Sequence, residues 1–303
     1  MPIEYDRRKF LKNVTAVAGT SMIVSIPGIS LASGSAIANA SFTVKDVIDL
    51  IKKEVPNFNR PTTVDQLRSG SLEQQVTGIV TTMFPTIEVI EKTAKVGANF
   101  IIAHETPFYN NNDETDWLKD DDAYKYKVAL LNKYKIAIWR FHDHWHAHKP
   151  DGIAMGNLIK FGWEKYYNPD TPRMITLPKP MTIQAIANLA KQKLGISMVR
   201  VVGNLKQPCS TIYLAFGYMD PRAQIPVIQQ SKPDLILSGE TREWETVERV
   251  RDGLAMGQKT SLLVLSHSVS EEAGMEYLVT WLQPKVPGVK ITNIPSNNPF
   301  KFV

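Results

Sequence analysis

The chain has 303 residues, 43% hydrophobic and 21% charged, a balance that excludes a disordered protein and can bury one large core or two small ones. Its net charge of +5 comes without a dense Lys/Arg patch or a basic-aromatic stripe, which sets nucleic acid aside as a partner. The single cysteine, Cys209, excludes an internal disulfide and a CxxC site, so any metal must be held by His, Asp and Glu.

Residues 5–13 read "YDRRKFLKN", with Arg7 and Arg8 ahead of a mildly apolar stretch at 14–32 and an A-x-A site at Ala38-Asn39-Ala40. This is similar to a twin-arginine signal peptide, with Asp6 where Ser or Thr commonly precedes the arginine pair. The mild hydrophobicity and the break at Pro27 argue against an uncleaved anchor. The expectation is a signal over 1–40, no stable membrane insertion after cleavage, and a periplasmic or secreted mature chain. Export of folded proteins by that route suits a chain loaded with metal beforehand.

Beyond it, apolar runs alternate with helical patterns. Strands are predicted at 74–83, 98–104 and 135–142, and helices at 85–97, 122–134 and 151–162. Pro85 near the start and Gly97 after the end punctuate the first of these helices. Residues 168–182 carry four prolines and read as a linker. Thr182 then caps a helix over 183–195, followed by strands at 198–204, 211–217 and 234–239 and a helix over 242–257. A strand at 259–267, a helix at 271–283 and a last strand at 289–295 complete the chain. The alternation predicts an α/β fold of two lobes.

All six histidines fall in three places: "IIAHETP" with His104 and Glu105, "RFHDHWHAH" with His142, His144, His146 and His148, and "VLSHSVSEE" with His267, Glu271 and Glu272. Each place follows an apolar run, so each lies at the carboxyl end of a predicted strand, where open α/β sheets bind ligands. Imidazole and carboxylate are the donors for Zn, Mn or Fe when thiolate is absent. Six such groups can hold two ions about 3.5–4 Å apart. His142 and His146 are four apart, as are His267 and Glu271, so a helical turn would aim each pair one way.

These residues resemble the Nif-three-like dinuclear metal-centre proteins, often labelled GTP cyclohydrolase 1 type 2 homologues. "AHETP" stands for the family's His-His-Pro, "HDHWH" for its His-Thr-Asn-x-Asp and "SHSVSE" for its Gly-His-x-x-x-Glu, in the same order. The resemblance covers most of residues 75–285. It implies His104, Glu105, His142, His146, His267 and Glu271 as ligands of two divalent ions, with Glu271 bridging. His144 then occupies an Asn position facing away, and His148 a solvated loop. Glu105 replaces the family's second His and His146 its Asp, an exchange that preserves ligand number and charge. "VDQLRSGS" (64–71) stands near the place of the family's Trp-Asp-Asn-Val-Gly-Leu, and "AFGYMDP" (215–221) replaces its glycine-rich loop, so a GTP pocket is not implied.

The family also implies two interlinked lobes with mixed sheets, the metal site at strand C-terminal ends, and a toroidal hexamer. The division is 41–170 plus 259–303 for the metal-binding lobe and 171–258 for the middle lobe. The leading function is a metal-dependent hydrolase that uses a metal-bound hydroxide on an unidentified small phosphoryl or carbonyl substrate. Glu105 or Glu272 is then expected to handle the proton. Glu240 and Glu243 read first as charges at a helix start and second as cleft residues. The alternative is a metal-binding or metal-delivery protein without turnover. A metallo-β-lactamase-like reading of "HxHxH" fails because Ala147 stands where that motif needs Asp.

Overall fold

The computed structural model describes residues 41–55, 62–301 and 303, and the signal segment expected at 1–40 lies outside them. The chain divides into two units, Met1–Ala38 and Asn39–Val303, and every described residue belongs to the second.

A capping box between Thr43 and Asp46 opens α1 (Val44–Lys53). The first sheet then forms from β1 (Leu67–Ser69), β2 (Ile79–Thr82), β3 (Phe100–Ala103) and β4 (Ala137–Arg140), with α2 (Ile87–Lys95) and α3 (Asp122–Tyr134) as crossovers. A short α4 (Asp143–Ala147) and α5 (Gly152–Phe161) follow β4. The second sheet contains β5 (Met174–Thr182), β6 (Arg200–Val202), β7 (Pro208–Tyr218), β8 (Leu235–Glu240) and β9 (Ser261–Val264). Its helices are α6 (Ile183–Leu194), α7 (Pro221–Gln230), and α8 (Glu248–Ala255), the last entered through a π-helical turn at Glu243–Val247. The long α9 (His267–Leu282) leads to β10 (Ile291–Asn293).

Both sheets are mixed. The first runs β1-β4-β3-β2-β10, parallel except for β1, and the second runs β5-β7-β8-β9-β6, with parallel β7, β8 and β9 between antiparallel edges. The strand period of two sorts their side chains into opposite layers. Phe100, Ile102 and Trp139 of the first sheet share a core with Leu214, Leu235, Leu237 and Leu263 of the second, while Ile101 and Ile138 face a separate core with α2 and α3. Ile236 and Leu262 face a third core on the far side of the second sheet, with Ile228 of α7 and Val250 of α8. The order of layers is therefore helices, sheet, helices, sheet, helices. Each fully buried large apolar side chain contributes about 1.5–3 kcal/mol.

Helix α9 lies in the central layer and contacts β2, β10, β7 and β8. It packs closely on α5, because a Cβ at Gly156 would stand 2.3 Å from the Ala273 carbonyl oxygen. Its N-terminus is thus placed where the two sheets meet.

Three expectations change. Residues 174–182 form the edge strand β5 instead of a linker; Pro178 and Pro180 fall in the gap in its register between Thr176 and Met181. Proline is tolerated there because an edge bulge asks for no N–H. The last long helix begins at His267, four residues earlier than expected at 271. Finally, β9 at 261–264 pairs with β8 and β6, so the part of the chain that rejoins the first sheet is β10 and not the whole of 259–303.

Candidate metal centre

His104 directly follows β3, and its N–H continues the ladder to the Thr82 carbonyl at 3.0 Å. It is fully buried, which pushes its pKa down and keeps it neutral. Nδ1 donates to the Phe141 carbonyl at 3.1 Å, so the lone pair is on Nε2, which has no hydrogen-bond partner. Glu105 is held by the buried Arg140 at the end of β4, whose guanidinium donates to Oε2 at 2.6 Å. The same guanidinium bonds Asp113 and Asn111, fixing the loop after β3.

The chain then turns through α4. His142 precedes this turn and His146 ends it, with the His146 N–H donating to the His142 carbonyl at 3.1 Å. The four-residue spacing puts both rings on one side, with centroids 4.9 Å apart. His142 donates from Nδ1 to Asp143 at 3.1 Å, and His146 from Nδ1 to Asp151 at 3.0 Å. Asp151 also caps α5 by accepting from the N–H groups of Ile153 and Ala154.

The third contribution is the first turn of α9. His267 donates from Nδ1 to Glu240 at the end of β8, at 2.8 Å. Glu271 lies one turn on and is buried. The backbone of Gly217, at φ +63°, approaches it so closely that a Cβ there would stand 2.0 Å from Oε1.

The structure therefore brings all six expected residues together. Potential donor atoms of His104, His142 and His146 lie within 4.8 Å of one another, as do those of Glu105, His267 and Glu271. The two groups adjoin. Glu271 stands 3.5 Å from His104 Nε2, 3.7 Å from His146 Nε2 and 3.2 Å from His267 Nε2. Glu105 Oε1 stands 3.3 Å from His267 Nε2 and 3.7 Å from His142 Nε2. Two donors each about 2.0–2.1 Å from one tetrahedral ion are about 3.3 Å apart, so these spacings suit a shared cation.

The electrostatics fit the same set. Burial raises the Glu105 carboxyl, but His267, His104, His142 and Arg140 outweigh it and hold the pKa at about 2. Glu271 is held well below its ordinary value, with His104 and His267 overcoming burial. Burial opposes charge on His146 too, yet Asp151 and Glu271 raise it to about 9. His267 is raised to about 12 against burial by Glu105, Glu240 and Glu271. The carboxylates thus stay ionised, and in the metal-free protein protons on His146 and His267 balance them.

A cleft of about 1030 Å³ opens over the site and meets a second cavity of about 720 Å³; His146, Arg173 and Phe216 line both. Arg173 is exposed and makes no ion pair among the described residues.

Other expectations sort differently. His144 faces away, with Nδ1 bonded to buried Asp65 at 2.6 Å. His148 is half-buried: it packs on Trp145 and Trp281, donates to the Pro150 carbonyl at 2.8 Å and borders the second cavity. Glu240 reaches the site through His267, whereas Glu243 is exposed and pairs with Arg200 at 2.6 Å. Glu272 lies on another side of α9 and accepts from Ser296, so it cannot handle a proton at the cluster. Asp65, Arg140 and Asp151 also shape the site, through His144, Glu105 and His146. A lone arginine in the apolar run "IAIWRF" is the one visible signal among them, because a buried charge needs partners.

A family profile, Duf34/NIF3 (NGG1p interacting factor 3), matches residues 42–299. The chain belongs to the DUF34/NIF3 family. Its relatives include the "GTP cyclohydrolase 1 type 2 homolog" of Clostridium perfringens, 26% identical over 239 residues, covering 75% of this chain and 86% of that protein. The protein of the same name from Mycoplasmopsis pulmonis is 24% identical, covering 65% of this chain and 75% of its own. Among solved structures, Staphylococcus aureus protein SA1388 superposes with a TM-score of 0.69 at 20% identity, covering 86% of this chain and 99% of that one. HcgD from Methanocaldococcus jannaschii does so with a TM-score of 0.56 at 15% identity, covering 84% and 98%. At these identities the solved structures establish the fold. Ser266, just ahead of His267, adopts φ 97°.

Proposed function

We propose that this DUF34/NIF3 protein is an exported, dinuclear metal-dependent hydrolase acting on a phosphoryl or carbonyl substrate. One observation carries the reading. Four histidines are each anchored through Nδ1 to a carbonyl or carboxylate, and all four turn Nε2 toward two ionised carboxylates. Anchoring the outer nitrogen is how metal-ligating imidazoles are oriented. His104, His142 and His146 would hold one ion and Glu105 and His267 the other, with Glu271 between them; the ions belong to the zinc, manganese or iron class. Such a pair supplies Lewis acidity and lowers the pKa of water toward neutrality.

The chain's own groups do the rest. Arg140 keeps Glu105 directed at the site, and Asp151 and Glu240 keep His146 and His267 in the Nδ1–H tautomer. Arg173, exposed at the cleft and free of an ion pair among the described residues, offers a positive charge to an anionic substrate. A phosphoryl group therefore suits the cleft better than a neutral amide. Export through the twin-arginine route, a periplasmic or secreted location and a homo-oligomer, a hexamer by family likeness, belong to the same proposal. Among the described residues no helix is long and apolar enough to cross a membrane.

A second reading, metal binding or delivery without turnover, is favoured by one feature. Three carboxylates around the cluster are already committed: Glu105 to Arg140, Asp151 to His146, Glu240 to His267. An assay of the metal-loaded chain against phosphoesters, nucleotides and amides separates the two. Hydrolysis predicts turnover that Glu271→Ala abolishes together with metal. Bound metal with no turnover across the panel would establish the second reading.

A further inference from the structure

The two halves of the centre present unlike donors. His104, His142 and His146 offer three imidazole nitrogens, whereas Glu105, His267 and Glu271 offer two carboxylates and one nitrogen. Arg140 occupies Oε2 of Glu105 at 2.6 Å and leaves Oε1 toward His267 at 3.3 Å. Glu271 turns Oε2 to His267 at 3.2 Å and Oε1 to His146 at 3.7 Å, so it is the carboxylate that the histidine half shares. Both halves are deep: His104, Glu105 and Glu271 are buried.

Imidazole donors suit zinc and its neighbours, while carboxylates suit manganese and magnesium. The charge balance points the same way. Glu105, although it pairs with Arg140, and Glu271 bring more negative charge to their half than the other half receives. Three neutral imidazoles bring none, and an ion there relies on strong nitrogen bonds to offset its lost hydration. Glu105 and His146 set this split, since exchanging the two would leave each half with both donor types.

We infer that the centre is heterodinuclear, with a zinc-class ion in the His104–His142–His146 half and a harder, oxygen-preferring ion of the manganese or magnesium class in the Glu105–His267–Glu271 half. This rests on the reading of the cluster as a dinuclear metal centre. Raw affinity favours zinc over manganese everywhere, so the claim concerns where limiting zinc goes.

The test loads the chelator-stripped, full mature chain with one equivalent of Zn²⁺ and excess Mn²⁺. Zinc-edge anomalous diffraction then locates the zinc, and electron paramagnetic resonance reports the manganese. The expected result is one zinc and one manganese per chain, with zinc occupancy at least about tenfold higher among the three histidine Nε2 atoms. His146→Asp gives each half a carboxylate and is expected to narrow that preference to within about threefold. Zinc spread equally over both halves, or concentrated beside Glu105, overturns the inference and leaves a dinuclear centre standing. Binding of neither ion overturns the dinuclear reading itself.

Discussion

Two helix starts deliver four of the six residues of the site, and they are built in opposite ways. Ahead of α4, buried Asp65 accepts the N–H groups of His142, Asp143 and His144, each at 2.8 Å, and the His144 ring at 2.6 Å. One carboxylate thus satisfies the orphan donors of the turn and sets the direction of His142 and His146. Ahead of α9 no side chain caps the helix, and Ser266 adopts φ 97° and ψ 145°, a region that glycine occupies without cost. That start is held from outside, by Glu240 on His267, by Ser270 accepting the Gly217 N–H at 2.8 Å, and by the close approach of Gly217 to Glu271. A turn of five residues needs a local clamp, whereas a sixteen-residue helix between two sheets can carry strain at its first residue.

The contrast breaks most visibly at Asp65. Asp65→Asn removes the charge that receives four hydrogen bonds and should cost about 2–4 kcal/mol in urea denaturation, with loss of the ion on the His142 side. A stability within about 0.5 kcal/mol of the parent would refute the clamp. At the other start, Gly217→Ala drives a methyl into Glu271 and should destabilise by about 1–3 kcal/mol while weakening metal binding. Unchanged metal affinity would show that Glu271 moves aside freely.

Ser266→Gly should do the reverse and stabilise by about 1 kcal/mol, read as a higher Tm. A lower Tm would mean that the serine contributes more than its backbone costs. A different kind of effect, read along pH, concerns Glu272 on another side of α9. Burial raises its carboxyl to about 7, so between pH 4.5 and about 7 the folded state holds a proton that the unfolded state has lost. Stability of the metal-free protein should therefore fall as pH rises through that window, and Glu272→Gln should flatten the fall. An unaltered pH profile would remove Glu272 as its source.

Much of this was legible in the chain. Histidines closing apolar runs marked the three places, and the four-residue spacings paired His142 with His146 and His267 with Glu271. What stayed hidden depends on distant partners. Asp65 lies 77–79 residues from the groups it clamps, and nothing local distinguishes it from a surface carboxylate. The start of α9 at His267 was missed because "SHSVS" is poor in helix formers, and packing between two sheets overrides that weakness. The prolines of 168–182 read as a break because an edge bulge that tolerates them has no local signature. The packing of His148 is hidden because its aromatic neighbour Trp281 lies far along the chain.

The proposed dinuclear centre is tested most directly by metal stoichiometry of the chain and single-alanine variants, measured by elemental analysis after equilibration with divalent ions. The expected result is two ions per chain, fewer in the variants of His104, Glu105, His142, His146, His267 and Glu271, and two retained in His148→Ala. Fewer than one ion in the parent chain, or a loss in His148→Ala equal to that in His142→Ala, would contradict it.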